Sequence, residues 1–484
     1  MDTIHLKSPH GWINDPNGFI YYNGKYHLFY QYFPYAPQWG RMHWGHAVSD
    51  DLTNWKHLEI ALFPTKESDA DGCFSGSAIE KDGKLIIFYT GVKYDKPNPE
   101  NINVSLNTLI PTQLMITSND GFTFNNFTGK KTIIPAIKDP TIGSMSDTRD
   151  PKVWQGKNGY FYIVLGTNVN KKGRLLFYRS KDLFKWEYMN FAECKDSTVD
   201  YGDNWECPNY FEVDGTGVLI FSPERTKNGS QALCMVSQFD EEKCSLEIGS
   251  NFQYVDYGLD LYAPQVTTDK NKNTIVIAWL RMPDVMADNT IGMMCIPRVC
   301  EIKNNHIYFR PHPYIRKKFK SPIKSPNESD GAYLLCACIK NGERIIVGGY
   351  IIGRENNSVY TDRTNVIHNH TELQNHHNTP TVKNGNDVEV YVDTNIIEVY
   401  VNDGEYVLTN AVYDLTEEIK NFTSSTIHLY GLNNKQKRNK SIESATFPSA
   451  VSPHQKCFRC HTAMNTLQRH QRVFVHSHGF PHTE

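Results

Sequence analysis

No apolar run in this sequence approaches the ~20 residues of a membrane-spanning helix; Ile275-Val276-Ile277-Ala278-Trp279-Leu280 is typical of the longest. A membrane partner is therefore not expected. The start, Met1-Asp2-Thr3-Ile4-His5, lacks the basic region and apolar core of a secretory leader. That points to the cytoplasm, with secretion open if a leader precedes this chain. Charge of one sign is lacking too: 50 Lys and Arg stand against 53 Asp and Glu, a formal net charge of −3, so nothing marks a nucleic-acid-binding surface. The 11 cysteines are odd in number and show no framework spacing, which argues against a disulfide scaffold. Most of them sit in apolar runs and read as buried thiols. No oligomeric state follows from the sequence.

Helical periodicity is also nearly absent between residue 12 and about 310. What stands there is short apolar runs broken by turn residues. Examples are Tyr26-His27-Leu28-Phe29-Tyr30, Leu85-Ile86-Ile87-Phe88-Tyr89 and Val218-Leu219-Ile220-Phe221. Such runs read as strands, and aromatic residues at 12% suit them, so the class is all-β. Ser49-Asp50-Asp51-Leu52-Thr53-Asn54-Trp55 returns as Ser180-Lys181-Asp182-Leu183-Phe184-Lys185-Trp186, and more loosely at Ser118-Asn119-Asp120-Gly121-Phe122. A turn unit repeating at roughly 65 residues predicts propeller blades, four or five of them in this length. Asp51, Asp120 and Asp182 are expected to form turns.

Three other carboxyls stand apart. Asp15 lies in Asn14-Asp15-Pro16-Asn17-Gly18, where the proline and the Asn-Gly pair predict a rigid hairpin turn. Asp150 precedes Pro151 and follows Arg149, a guanidinium expected to keep it ionised. Glu206 falls between Trp205 and the apolar Cys207-Pro208-Asn209-Tyr210-Phe211, where desolvation favours a neutral proton donor. One acid and two anionic partners are what glycoside hydrolysis requires.

In this order, Asn14-Asp15-Pro16-Asn17-Gly18, Arg149-Asp150-Pro151 and Glu206-Cys207-Pro208 resemble the three motifs of glycoside hydrolase family 32. Tyr30-Gln31-Tyr32, Trp39-Gly40, His43-Trp44-Gly45-His46, Gly72-Cys73-Phe74-Ser75-Gly76 and Asp256-Tyr257-Gly258-Leu259-Asp260 are similar to further blocks of that family. The resemblance covers about residues 5–410. It implies a five-bladed β-propeller followed by a C-terminal β-sandwich. The expected division is a propeller over 1–312, a linker over 313–326, a sandwich over 327–448 and a disordered tail over 449–484. In that tail, Cys457-Phe458-Arg459-Cys460-His461 and the histidines after it read as adventitious metal ligands at most.

The resemblance further implies a retaining hydrolase that releases fructose from β-fructofuranosides. Asp15 would be the nucleophile, Glu206 the acid/base and Asp150 the stabiliser of the fructosyl hydroxyls and charge. Asn14, Gln31, Trp39, Phe74, Ser75 and Arg149 match positions lining the fructose site, and Trp44, His46 and Trp279 read as wall or core. The expected partner is a small sugar, with no metal or cofactor. Sucrose, sucrose 6-phosphate and a fructan stay open as substrates, because contacts to a phosphate leave no identifiable string, and Phe33-Pro34 where the family often has Asn-Pro leaves the leaving-group preference open. A sugar-binding relative without catalysis is the distant alternative. Families that cleave arabinan also use two aspartates and a glutamate, but not these strings.

Overall fold

The computed structural model describes residues 4–432 apart from 197, 228, 230, 369, 371 and 372. The tail and the end of the expected sandwich lie outside the described residues. Within them the repeat near 65 residues resolves into five antiparallel sheets arranged as propeller blades. Their first strands are Gly11–Tyr22, Gly72–Lys81, Arg149–Gln155, Asn204–Val213 and Leu261–Thr268, for blades 1 to 5. These strands touch one another in ring order, blade 5 against blade 1. The ring closes where Thr290–Ile291, from the chain between the strands of blade 5, joins the blade 1 sheet by pairing in parallel with Gly11 and Trp12. The next residue has to be glycine: Gly292 has φ +89°, and a Cβ there would lie 2.1 Å from the Ile13 carbonyl oxygen.

The echoed aspartates are turn formers. Asp51 Oδ1 accepts the Thr53 and Asn54 amides, Asp120 Oδ1 those of Phe122 and Thr123, and Asp182 Oδ1 those of Phe184 and Lys185. Each is an Asx-turn that ends a strand.

Every first strand breaks register near the site residues. The breaks fall between Ile13 and Pro16, Phe74 and Gly76, Arg149 and Lys152, Glu206 and Asn209, and Tyr262 and Gln265. Four of these bulges hold a proline, which has no N–H to give the ladder. In three of them the residue before the proline has positive φ: Asp150 at 65°, Cys207 at 47° and Ala263 at 49°. This corrects the reading of Asn17-Gly18 as a hairpin turn. Both residues lie inside the strand Gly11–Tyr22, and the turn falls at Asn23-Gly24, with φ of 47° and 80°. Gly18, at φ +50°, serves a bulge instead.

The second domain is a sandwich of a six-stranded and a five-stranded sheet. Residues 313–326 do not form a bare linker. Pro313–Arg316 makes a helical turn, and Phe319–Ile323 pairs with His428–Leu432 in the six-stranded sheet. Of the basic residues here, Lys320 lies on that edge strand, while Lys318 pairs with Asp51 and Arg316 with Glu389. A buried ionic cluster ties the domains together. Glu398 of the sandwich accepts from Arg298 at 2.8 Å and meets His5 at 2.9 Å, and the other His5 nitrogen meets Asp393 at 2.8 Å. Asp256 receives Arg298 at 2.9 Å and the amide and hydroxyl of Thr409. The described cysteines are free thiols, most of them buried.

Candidate active site

Blade 1 brings Asp15 to the site with both oxygens engaged. Ser75 Oγ of blade 2 donates to Oδ2 at 2.6 Å, and Asn14 Nδ2 donates to Oδ1 at 3.1 Å. Asn14 is itself oriented by Trp12 Nε1, 2.8 Å from its Oδ1. Blade 3 supplies Asp150, whose backbone N–H donates to Thr90 Oγ1 at 3.0 Å. Its Oδ2 accepts the Cys207 backbone N–H at 2.9 Å. The Cys207 thiol also faces both aspartates, with Sγ 3.4 Å from Asp15 Oδ2 and 3.7 Å from Asp150 Oδ2. Three separate blades thus meet around one sulfur.

Glu206 of blade 4 is gripped from two sides. Arg149 donates to Oε1 through Nη2 at 2.8 Å and Nε at 3.2 Å, and the Tyr262 hydroxyl donates to Oε2 at 2.6 Å. Two expectations change here. The Trp205 indole does not cover the carboxyl, because successive residues of a strand point to opposite faces. That ring is buried against Phe221, 4.5 Å away. Nor does Arg149 keep Asp150 ionised. Burial raises the Asp150 pKa more than Arg149 lowers it, and the charges of Glu206 and Asp15 raise it further, to about 7.

The other expected residues are placed as follows. Gln31 is buried and donates its amide to the Cys73 carbonyl at 2.9 Å. Trp39 and Phe74 are half-buried and meet edge to face at 6.1 Å. Trp44 and His46 are buried in blade 1, and Trp279 packs between Trp12 and Tyr262.

Sequence reading missed Tyr262, Thr90 and Glu224, the last buried and 2.8 Å from Arg149 Nη2. A signal for the tyrosine existed. Arg149-Asp150-Pro151, Glu206-Cys207-Pro208 and Tyr262-Ala263-Pro264 occupy equivalent bulges of blades 3, 4 and 5. The leading residues of these triplets form one chain of hydrogen bonds, Arg149 to Glu206 and Tyr262 to Glu206.

Residues 5–311 match the family model for the glycosyl hydrolases family 32 N-terminal domain, and residues 307–447 match that for the family 32 C-terminal domain. The chain belongs to glycoside hydrolase family 32. It is 30% identical to a sucrose-6-phosphate hydrolase of Escherichia coli over 444 residues, covering 86% of this chain and 90% of that protein. It is 35% identical to a sucrose-6-phosphate hydrolase of Zymomonas mobilis over 326 residues, which are 64% of this chain and 61% of that protein's length. Among solved structures, a family 32 beta-fructofuranosidase of Bombyx mori superposes with a TM-score of 0.75 at 29% identity, covering 88% of this chain and 93% of that one. In this family 32 chain the three motifs therefore sit on blades 1, 3 and 4, at bulges that turn their carboxyls toward one another.

Proposed function

We propose that the protein is a retaining β-fructofuranosidase that releases fructose from sucrose. The observation that carries this reading is the meeting of Asp15, Asp150 and Glu206, from three blades, around Cys207 and Arg149. Asp15 attacks the anomeric C2 of the fructosyl unit, forming a carboxylate–C2 bond as the glycosidic C2–O bond breaks. Glu206 gives its proton to the departing oxygen. It then takes a proton from the water that attacks C2, which releases fructose and frees Asp15. Asp150 hydrogen-bonds the fructosyl hydroxyls and stabilises positive charge on the ring as it develops.

The crowding of carboxyls serves this chemistry. Neighbouring buried acids cannot all ionise together, so the cluster keeps a proton up to about pH 7, as the Asp150 shift records. The hydrogen bonds from Ser75 and Asn14 fix both oxygens of Asp15 in place for attack.

A second reading, sucrose 6-phosphate as substrate, is supported by the names of the Escherichia coli and Zymomonas mobilis relatives. The test is fructose release from sucrose, sucrose 6-phosphate and inulin at equal concentration. A higher kcat/KM on sucrose supports the invertase reading, and a preference of about tenfold or more for the phosphate ester replaces it with the second. Activity on none of the three overturns both.

A further inference from the structure

The chemistry above uses Asp15, Asp150 and Glu206 and leaves one carboxyl of the cluster unassigned. Glu224 ends the strand Thr216–Glu224 and is 4% exposed. Its Oε2 accepts from Arg149 Nη2 at 2.8 Å and from Asn204 Nδ2 at 3.0 Å, and its Oε1 meets Arg225 Nη1 at 3.3 Å. The same Arg149 nitrogen donates to Glu206 Oε1, also at 2.8 Å. The two carboxyls therefore share one N–H-bearing nitrogen, and their oxygens lie within twice that distance of each other.

Further charged and titratable groups surround the pair. Asp147 holds the other end of Arg149 from blade 3, and Asp203 pairs with Arg225 on blade 4. From blade 5, the Tyr262 hydroxyl bonds Glu206, and Arg281 lies over the Tyr262 ring at 5.0 Å. Arg149 contacts both glutamates through a single nitrogen, at 2.8 Å each.

We infer that Glu224 is a positioning residue for the acid/base: it holds Arg149 from the far side, so that one guanidinium nitrogen serves both glutamates and the alkaline limb of activity depends on the charge at position 224. This inference rests on Glu206 being the acid/base. Two like charges on one guanidinium nitrogen titrate as a pair, and each makes the other harder to ionise. Burial first, and then the charge of Glu206, raise the Glu224 pKa to about 7, against the pull of Arg149 and Arg225. A glutamine at this position would still accept a hydrogen bond from Arg149 but would carry no charge. Glu206 would then have the guanidinium to itself, with no second charge on that nitrogen.

The experiment is kcat/KM on sucrose against pH for the wild type, Glu224→Gln, Glu224→Asp and Glu206→Gln. Glu224→Gln should move the alkaline limb to lower pH by roughly one unit, with KM changed less than kcat, and Glu224→Asp should bring it back toward the wild-type position. An unmoved limb in Glu224→Gln, or equal shifts in the Gln and Asp variants, overturns the inference and leaves Glu224 a structural group. Glu206→Gln separates the two levels. If its residual activity keeps the wild-type alkaline limb, the acid/base reading itself fails. If Glu224→Gln does not fold, NMR of carboxyl-13C glutamate in the wild type and in Glu206→Gln decides: the Glu224 carboxyl should titrate above the ordinary carboxylate range in the wild type and at lower pH in the variant, and an equal midpoint in both overturns the inference.

Discussion

The Cys207 thiol lies 3.4 Å from Asp15 Oδ2, between that carboxyl and Asp150. Burial, and then the charges of Asp15, Asp150 and Glu206, push its pKa well above that of an ordinary thiol. A neutral S–H is a small donor that two carboxylates tolerate, whereas a thiolate would repel both. Iodoacetamide at pH 8 should therefore leave activity unchanged. Cys207→Ser should keep kcat/KM within about tenfold, and Cys207→Asp, which adds a like charge, should cost about a hundredfold or more. Rapid inactivation by the reagent would show a reactive thiolate and contradict this account.

Asp15→Asn should lower kcat by several orders of magnitude, since no covalent intermediate can form. Asn14 and Ser75 surround an amide nearly as well as a carboxylate, so the melting temperature should stay close to that of the wild type. Fructose release within about tenfold of the wild type, alongside an unchanged melting curve, would end the nucleophile assignment.

Glu206→Ala should harm a substrate with a poor leaving group far more than an aryl fructoside, whose leaving oxygen needs little protonation. Its setting of Arg149 on one side and Tyr262 on the other also predicts rescue by a small anion. Azide should accelerate the variant by occupying the space beside Arg149 and attacking the fructosyl intermediate. Equal losses on both substrates, with no response to azide, would move the proton-transfer role elsewhere.

Stability should fall on the alkaline side through His5. Burial lowers the His5 pKa, but hydrogen bonds with Asp393 and Glu398 and their charges together outweigh it and raise the pKa from 6.5 to about 9. A raised histidine stabilises the fold fully below its unfolded pKa, and that contribution is lost as pH rises through the folded value. The wild-type melting temperature should thus decline between about pH 6.5 and 9. His5→Ala should melt lower at pH 6 and show a flatter profile over the same window. Removing one partner of a buried ionic cluster costs roughly 3–5 kcal/mol, enough to see by calorimetry. Parallel curves for the two proteins would exclude His5 as the titrating group.

Much of this molecule is set by local chemistry and is legible in the chain. Alternating apolar runs give the strands, Asp51, Asp120 and Asp182 end them through hydrogen bonds to residues two and three along, and their spacing gives the blades. Asp15, Asp150 and Glu206 were visible because proline beside or near a lone carboxyl marks a bulge or turn. The tertiary structure decided what those carboxyls meet. Arg149 is adjacent to Asp150 in sequence but spends its hydrogen bonds on Glu206 and Glu224, 57 and 75 residues away. Trp205 is adjacent to Glu206 yet faces the opposite side of its strand. Asn17-Gly18 has the composition of a turn, but the pairing of Gly11–Tyr22 with Lys25–Phe33 draws it into a strand as a bulge. Side-chain partners in a propeller come from neighbouring blades around the axis. Contact there depends on how five sheets close into a ring, and a single strand's sequence does not encode it.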